Sequence, residues 1–399
     1  MAPLDNLIVV DFSHALAGPY CTMLMAAYGA QVYKIESTGS GDMGRTWGPP
    51  FQGGEASYFL GLNSGKQGVA INLKDPRGLD LCRDMVRRAD VLIENFRPGT
   101  MSRLGLDWPA ARTLNSRLIY CSISGYGQTG PSRDDPAMDL ILQASSGLIS
   151  TTGNSATSTA RCGHSVADIT AGMFALTGVL MALEARHRTG MGQFIDVSML
   201  DGMISAMASN YAYMFGSGTV PTPLGTAFAT IVPYACFPTA DGEMAIAVAS
   251  EKLWTLFCAA VEHPEWEHDP RFATNRDRVA NRGILEPMVT EVLRYRTSTE
   301  WTGLFCKHGV PCAAVRNLRE VADDPHAAHR EMFPVLGHPT AGPVRVTGVP
   351  IKFSETPGGI KSAAPVSGQH TREALAGLLG LGAERIGELA RAGVIHCAH

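Results

Sequence analysis

Residues 7–36 read LIVVDFSHALAGPYCTMLMAAYGAQVYKIE, and this stretch decides the fold. Leu7–Phe12 and Val32–Glu36 are short, largely β-branched runs, and the segment between them, Gly18 to Gly29, has helical spacing. A strand, a helix and a second strand in so few residues make a βαβ unit, whose strands lie parallel because the helix carries the chain back. The alternation continues with GVAINLK (68–74), a helix from about Pro76 to Ala89, VLIENF (91–96), another helix and LIYCSIS (118–124). It predicts an α/β fold with a mostly parallel sheet covered by helices and joined by right-handed crossovers.

Further along, an apolar run from Asp168 predicts a buried helix ended by the HRTGMG turn (187–192). QFIDVSML (193–200) then returns as a strand leading into a second helix. GSGTVPTPLGTAFATIVP (216–233) has the Gly and Pro density of a linker. Residues 234–315 carry their own strands, ACFPTA and EMAIAVA, and helices, which predicts a smaller α+β domain. The last 70 residues hold short strands around Val344 to Phe353 and a terminal helix.

The 399 residues, 45% apolar and 18% charged, suffice for two or three domains with sizeable cores. Lys and Arg number 33 against 37 Asp and Glu, for a net charge of −4. That balance argues against nucleic acid as the main partner, because such binding is driven by cations displacing counterions from phosphates. The nine cysteines stand far apart with no Cys-x-x-Cys pair, a spacing that suits reduced thiols and neither a disulfide framework nor a metal site. MAPLDNLIVVDF lacks the features of a secretory signal, and the longest apolar stretch, fifteen residues from Ile169 to Leu183, falls short of a membrane span. The expectation is a soluble, cytoplasmic protein with no membrane partner.

A literal GxGxxG occurs at Gly39, Gly41 and Gly44 after VYKIE, yet Pro49 and Pro50 follow where a dinucleotide-binding motif needs a helix. Asp168 stands where the polar RCGHSVA stretch meets the apolar helix. It reads as a helix cap or as a carboxylate nucleophile, ionised at neutral pH, and the two roles are compatible. His14 falls where the first strand gives way to the first helix, the place where ligands gather in open parallel sheets. Asp201, at helical spacing among apolar residues, and the methionines clustered at 191–214 read as structural.

These segments together resemble the class III CoA-transferases, a family that also holds the α-methylacyl-CoA racemases and carnitine-CoA-related enzymes. The likeness runs nearly end to end: residues 9–36, GSGDMGRTWGPPF (39–51), LNSGKQGVAINLKDPRG (62–78), VLIENFRPG (91–99), CSISGYGQTGP (121–131), TTG (151–153) and the Asp168 segment. It continues through RHRTGMGQFIDVSMLDG (186–202), IVPYACFPTADG (231–242), HGVPCAAVRNLREVADDPH (308–326), GVPIKFSETPG (348–358) and GQHT (368–371). The resemblance implies a Rossmann-like large domain built from residues 1–215 and 330–399, a small α+β domain at 234–315, linkers at 216–233 and 316–329, and an interlocked homodimer. It implies Asp168, taken as the first residue of its helix, as the nucleophile that carries CoA between acids through an anhydride and an aspartyl thioester.

The resemblance also implies oxyanion or lid groups at Leu16, Ala17 and Gly225. CoA contacts fall on His14, Leu16, Ala17, Lys74, Asn95, Phe96, Arg97, Arg103, Met138 and Asp139. Coenzyme A enters as a substrate, together with an acyl-CoA and a small carboxylic acid; no permanent cofactor and no metal are expected. Formyl-CoA transferases carry Gln and Arg where this chain has Leu16 and Ser37, which argues against formyl and oxalate specificity. Racemases need a proton-relaying His where Met138 stands. GTAFATIVPYACF resembles a loop of dicarboxylate transferases, with Phe228 in place of their His. Transfer from succinyl-CoA or another dicarboxyl-CoA is the expected activity; a racemase-like enzyme and a non-catalytic CoA-binding protein are the alternatives.

Overall fold

A computed structural model describes residues 1–398 of the chain. The opening stretch forms β1 (Ile8–Asp11), α1 (Ala17–Ala27) and β2 (Gln31–Glu36), with the strands parallel from Ile8 opposite Gln31 to Asp11 opposite Lys34. Then come β3 (Gln67–Ile71), α2 (Pro76–Arg88), β4 (Val91–Glu94), β5 (Ile119–Ser124), α3 (Asp139–Ser145), α4 (Val166–Thr189) and β6 (Phe194–Ser198). Spatially the strands run β3-β2-β1-β4-β5-β6, all parallel. The strand order reverses between β1 and β4, so their carboxyl ends flank the crevice where doubly wound sheets bind ligands. A seventh strand, Ile395–His396, joins β3 antiparallel.

Both faces of the sheet are covered, which is why its strands read as continuous apolar runs. On one face Val10, Phe12, Leu92 and Tyr120 pack with Leu81, Met85 and Val86 of α2 and with Leu375 and Leu389 near the carboxyl end. On the other, Val9, Val32, Ile93 and Cys121 meet Cys21 and Met25 of α1 and the small-residue stripe Ala167, Ala171, Ala175, Val179 and Ala182 of α4. Gly172 in that stripe has a purpose: a Cβ there would lie 2.6 Å from the Ala17 carbonyl oxygen. The helix therefore accepts a residue of poor propensity so that α1 can approach closely. Although alanine is the better helix former, Gly172→Ala is expected to destabilise the protein by about 1–3 kcal/mol in urea unfolding.

By length and composition α4 could cross a membrane, and it is longer than the apolar run that announced it. Its inward stripe is built into the sheet's core, and Arg186 near its end is buried against Asp90, 2.9 Å away. Gly190, left-handed at φ 73°, ends it where the turn was expected.

The chain forms two compact units, residues 1–148, 162–218 and 325–399 in the first and 149–161 and 219–324 in the second. The second unit has a three-stranded antiparallel sheet of β7 (Tyr234–Pro238), β8 (Glu243–Ala247) and β9 (Cys312–Ala314). Its core includes Trp254, Phe257, Trp301 and Phe305. The buried Arg278 guanidinium lies 4.8 Å from the Trp254 ring centre, and its Nη1 is 2.8 Å from Glu251. Residues 149–161, which include a small hairpin, fall with this unit.

The carboxyl-terminal region also differs from expectation. Its hairpin pairs Val335–His338 with Gly342–Arg345, nothing from 346 to 353 is a strand, and two helices occur, Thr371–Leu379 and Ala383–Arg391. Short edge elements have too few residues to show a period. All nine cysteines are free thiols.

Candidate active site

The carboxyl end of β1 runs into a loop, Phe12–Leu16, that is held from both sides. Asn95, just past β4, grips His14 with two bonds: the His14 N–H donates to Asn95 Oδ1 at 2.8 Å, and Asn95 Nδ2 donates to the His14 carbonyl at 2.8 Å. The Phe96 ring tilts against the His14 ring, centroids 5.4 Å apart. Ala15 has φ 64°, a left-handed conformation uncommon outside glycine, and its N–H donates to Asp42 Oδ1 at 3.0 Å. The chain then enters α1 at Ala17, whose amide draws the pKa of the Asp168 carboxyl down.

Asp168 is the third residue of α4, not its first, and it does not cap the helix. That duty falls to Asp139 at the start of α3, whose Oδ1 accepts the Ala167 N–H at 2.9 Å while Oδ2 accepts from Gln143 at 2.7 Å. Asp168 is left with its carboxyl toward Ala17. Burial and the nearby Asp139 charge push its pKa up to about 7, against the pull of the Ala17 amide. The expected full ionisation at neutral pH is thus corrected: the group is poised between its two forms. Tyr58 lies close enough to Asp168, Asp42 and Asp139 for their charges, after burial, to raise its hydroxyl pKa, and its ring stands 4.9 Å from that of Trp47.

Beneath the loop lies a set of buried ions. Lys34 Nζ is 2.7 Å from Asp42 Oδ2 and donates to the Ser13 carbonyl at 2.8 Å. Lys66 Nζ lies 3.2 Å from Asp11, which also accepts from Ser13 and Thr22. Glu36 holds Arg45 through two bonds, at 2.7 and 2.8 Å, and accepts the Asp42 N–H at 2.9 Å. Burial alone would raise the Asp42 pKa; Lys34, His14 and the Ala15 amide hold it well below the usual carboxylate range. Burial also lowers the Lys66 pKa to about 8 despite Asp11. The sequence reading missed all of these, though Lys34 and Glu36 interrupt a strand buried on both faces, a signal that they must be paired inside.

The other sequence candidates scatter. Leu16 and Ala17 are buried at the entry to α1. Lys74, Arg97 and Arg103 are exposed, past the carboxyl ends of β3 and β4. Arg97 lines a cavity of about 310 Å³ with Trp108, Tyr120 and Gln128, where burial lifts the Glu94 pKa to about 7. Met138 is 60% exposed and offers no titratable atom. Gly225 belongs to the second unit, left-handed at φ 64°, and its N–H donates to the Gly153 carbonyl at 2.8 Å. Phe228 there packs against Tyr234, and Arg282 donates to its carbonyl at 2.6 Å. Among the described residues no cluster of His, Cys, Asp and Glu is suited to a metal ion.

A family profile described as CoA-transferase family III matches residues 4–371. The chain is 34% identical over 394 residues to human succinyl-CoA:glutarate CoA-transferase, covering 98% of this chain and 90% of that one. It is 38% identical over 353 residues to acetyl-CoA:oxalate CoA-transferase of Acetobacter aceti, covering 88% and 89%. A CAIB/BAIF family protein from Brucella suis superposes with a TM-score of 0.85 at 33% identity, over 94% of this chain and 99% of that one. With an α/β fold of this order and likeness of this extent, the chain belongs to CoA-transferase family III.

Proposed function

We propose that the protein moves CoA from succinyl-CoA or another dicarboxyl-CoA to a small carboxylic acid, with Asp168 as the temporary carrier. The observation that carries this reading is the Asp168 carboxyl itself: half-buried, relieved of capping by Asp139, and under the influence of the Ala17 amide. In its anionic form an Asp168 oxygen attacks the thioester carbonyl; the carbon–sulfur bond breaks and leaves a mixed anhydride and CoA thiolate. The thiolate attacks the aspartyl carbonyl, releasing the donor acid and leaving an aspartyl thioester. The acceptor carboxylate then attacks that thioester, and the returning thiolate takes the acyl group, freeing Asp168. Acyl bonds are exchanged throughout, so the cycle needs no external energy source. In this reading the Ala17 amide stabilises charge on oxygen at this carbonyl.

Lys74, Arg97 and Arg103, exposed past the carboxyl ends of the strands, are suited to the phosphates of CoA. Names of relatives support dicarboxylate chemistry, since glutarate and oxalate are both diacids. Leu16 and Ser37 count against oxalate, and Met138 counts against racemisation. A homodimer is part of this reading: Met173, Phe174, Leu180 and Met181 of α4 are exposed apolar residues, and so is Phe215, 78% exposed on the helix Ala208–Ser217. Cytoplasmic placement, with reduced thiols, completes it.

A donor-by-acceptor panel tests the proposal. Succinyl-CoA with glutarate, itaconate, mesaconate, citramalate, malate and oxalate should give new acyl-CoA for at least one diacid other than oxalate. Absence of transfer across the panel, or deuterium exchange at the α-carbon of a 2-methylacyl-CoA, would count against it. In equilibrium sedimentation the protein should have twice the mass of one chain, and a monomer would contradict the dimer.

A further inference from the structure

We infer that Asp42 is a positioning residue for Asp168, acting through the left-handed turn at Ala15; the role in catalysis rests on the function proposed above. Three observations converge on Asp42. Its Oδ1 accepts the Ala15 N–H at 3.0 Å and the Gly44 N–H at 2.8 Å, so one oxygen ties the β1–α1 loop to the turn that follows β2. Its Oδ2 lies 2.7 Å from the buried Lys34 ammonium, which also grips the Ser13 carbonyl at 2.8 Å. Its own N–H is held by Glu36 at 2.9 Å, and Glu36 is locked by Arg45. The carboxylate is therefore fixed from three sides before it holds anything.

What it holds is a backbone conformation that alanine adopts reluctantly. A non-glycine residue at φ 64° persists only where its surroundings over-determine it. Asn95 fixes the preceding residue, and Asp42 supplies the acceptor for Ala15 itself. Two residues on, Ala17 packs against α4 one turn past Asp168, where a Cβ on Gly172 would lie 2.6 Å from its carbonyl oxygen, and its amide is the group that favours the anionic form of Asp168. If the turn relaxes, that amide leaves while the opposing Asp139 charge stays.

Two readouts separate this role from plain stability. The first is the pH dependence of carbodiimide labelling of Asp168, followed by peptide mass spectrometry, because the reagent takes the protonated carboxyl. In folded Asp42→Ala the labelling midpoint should rise by about one pH unit, and kcat should fall about tenfold to a hundredfold with a smaller change in KM for the acyl-CoA. Should Asp42→Ala fail to fold, Ala15→Val is read in the same way, since a β-branched residue tolerates the left-handed region poorly, with Ala15→Gly as the control that stays at the wild-type midpoint. A folded Asp42→Ala or Ala15→Val with unchanged midpoint and kcat overturns the inference. A shifted midpoint in a protein without transferase activity would sustain the positioning and defeat the proposed reaction instead.

Discussion

Asp168→Ala should remove CoA transfer, by at least about a thousandfold in kcat, while the purified protein keeps its circular dichroism and its mass in sedimentation. The same substitution should also make the protein more stable. Keeping this carboxyl in a site that pushes its pKa up to about 7 means the fold tolerates an anion it would rather protonate. The sign follows from proton linkage: between the ordinary carboxylate range and pH 7 the folded chain binds more protons than the unfolded one, so wild-type stability falls as pH rises through that window. Asp168→Asn or Asp168→Ala lacks this cost and should gain about 1–3 kcal/mol at pH 8, with the gain shrinking toward pH 4. Urea unfolding at the two pH values measures it. Residual turnover near wild type, or a loss of stability equal at both pH values, would assign the residue a structural role.

The second large effect is in the pH profile. Only the anion attacks a thioester, so with Asp168 titrating near 7 in the free protein kcat/KM for the acyl-CoA should fall about tenfold for each pH unit below that point. Removing the Asp139 charge alters this in a defined way. Asp139→Asn retains an oxygen for the Ala167 N–H but no longer repels the Asp168 anion, so the acid limb should move to lower pH. A limb that stays in place would mean that burial alone sets the value. Because burial is the larger cause, the shift should be partial.

The parallel sheet was legible in the sequence because each strand from Leu7 to Ser124 is a dense apolar run and the crossover helices Ala17–Ala27 and Pro76–Arg88 each span three turns or more. The refusal of GxGxxG as a dinucleotide motif was legible for the same local reason: only a four-residue turn, Met43–Thr46, follows Gly41. Asp168 could be singled out by its position at a helix start and by family likeness, but not its state. Its elevated pKa is set by burial and by Asp139, 29 residues upstream, against the Ala17 amide, 151 residues upstream, and pairings at such separations leave no periodic trace. The same holds for Lys34–Asp42 and Lys66–Asp11, whose partners meet only once the sheet has formed. Asn95 shows a part the likeness did not mark: its amide is bonded to both polar groups of the His14 backbone.

The central claim is that one carboxyl side chain becomes an acyl carrier, and mass spectrometry of the protein quenched during turnover with succinyl-CoA tests it most directly. The account predicts CoA attached through a thioester to the peptide containing Asp168, lost on treatment with hydroxylamine and absent from Asp168→Ala. An active protein with no adduct on that peptide, or with the adduct on another residue, would contradict it.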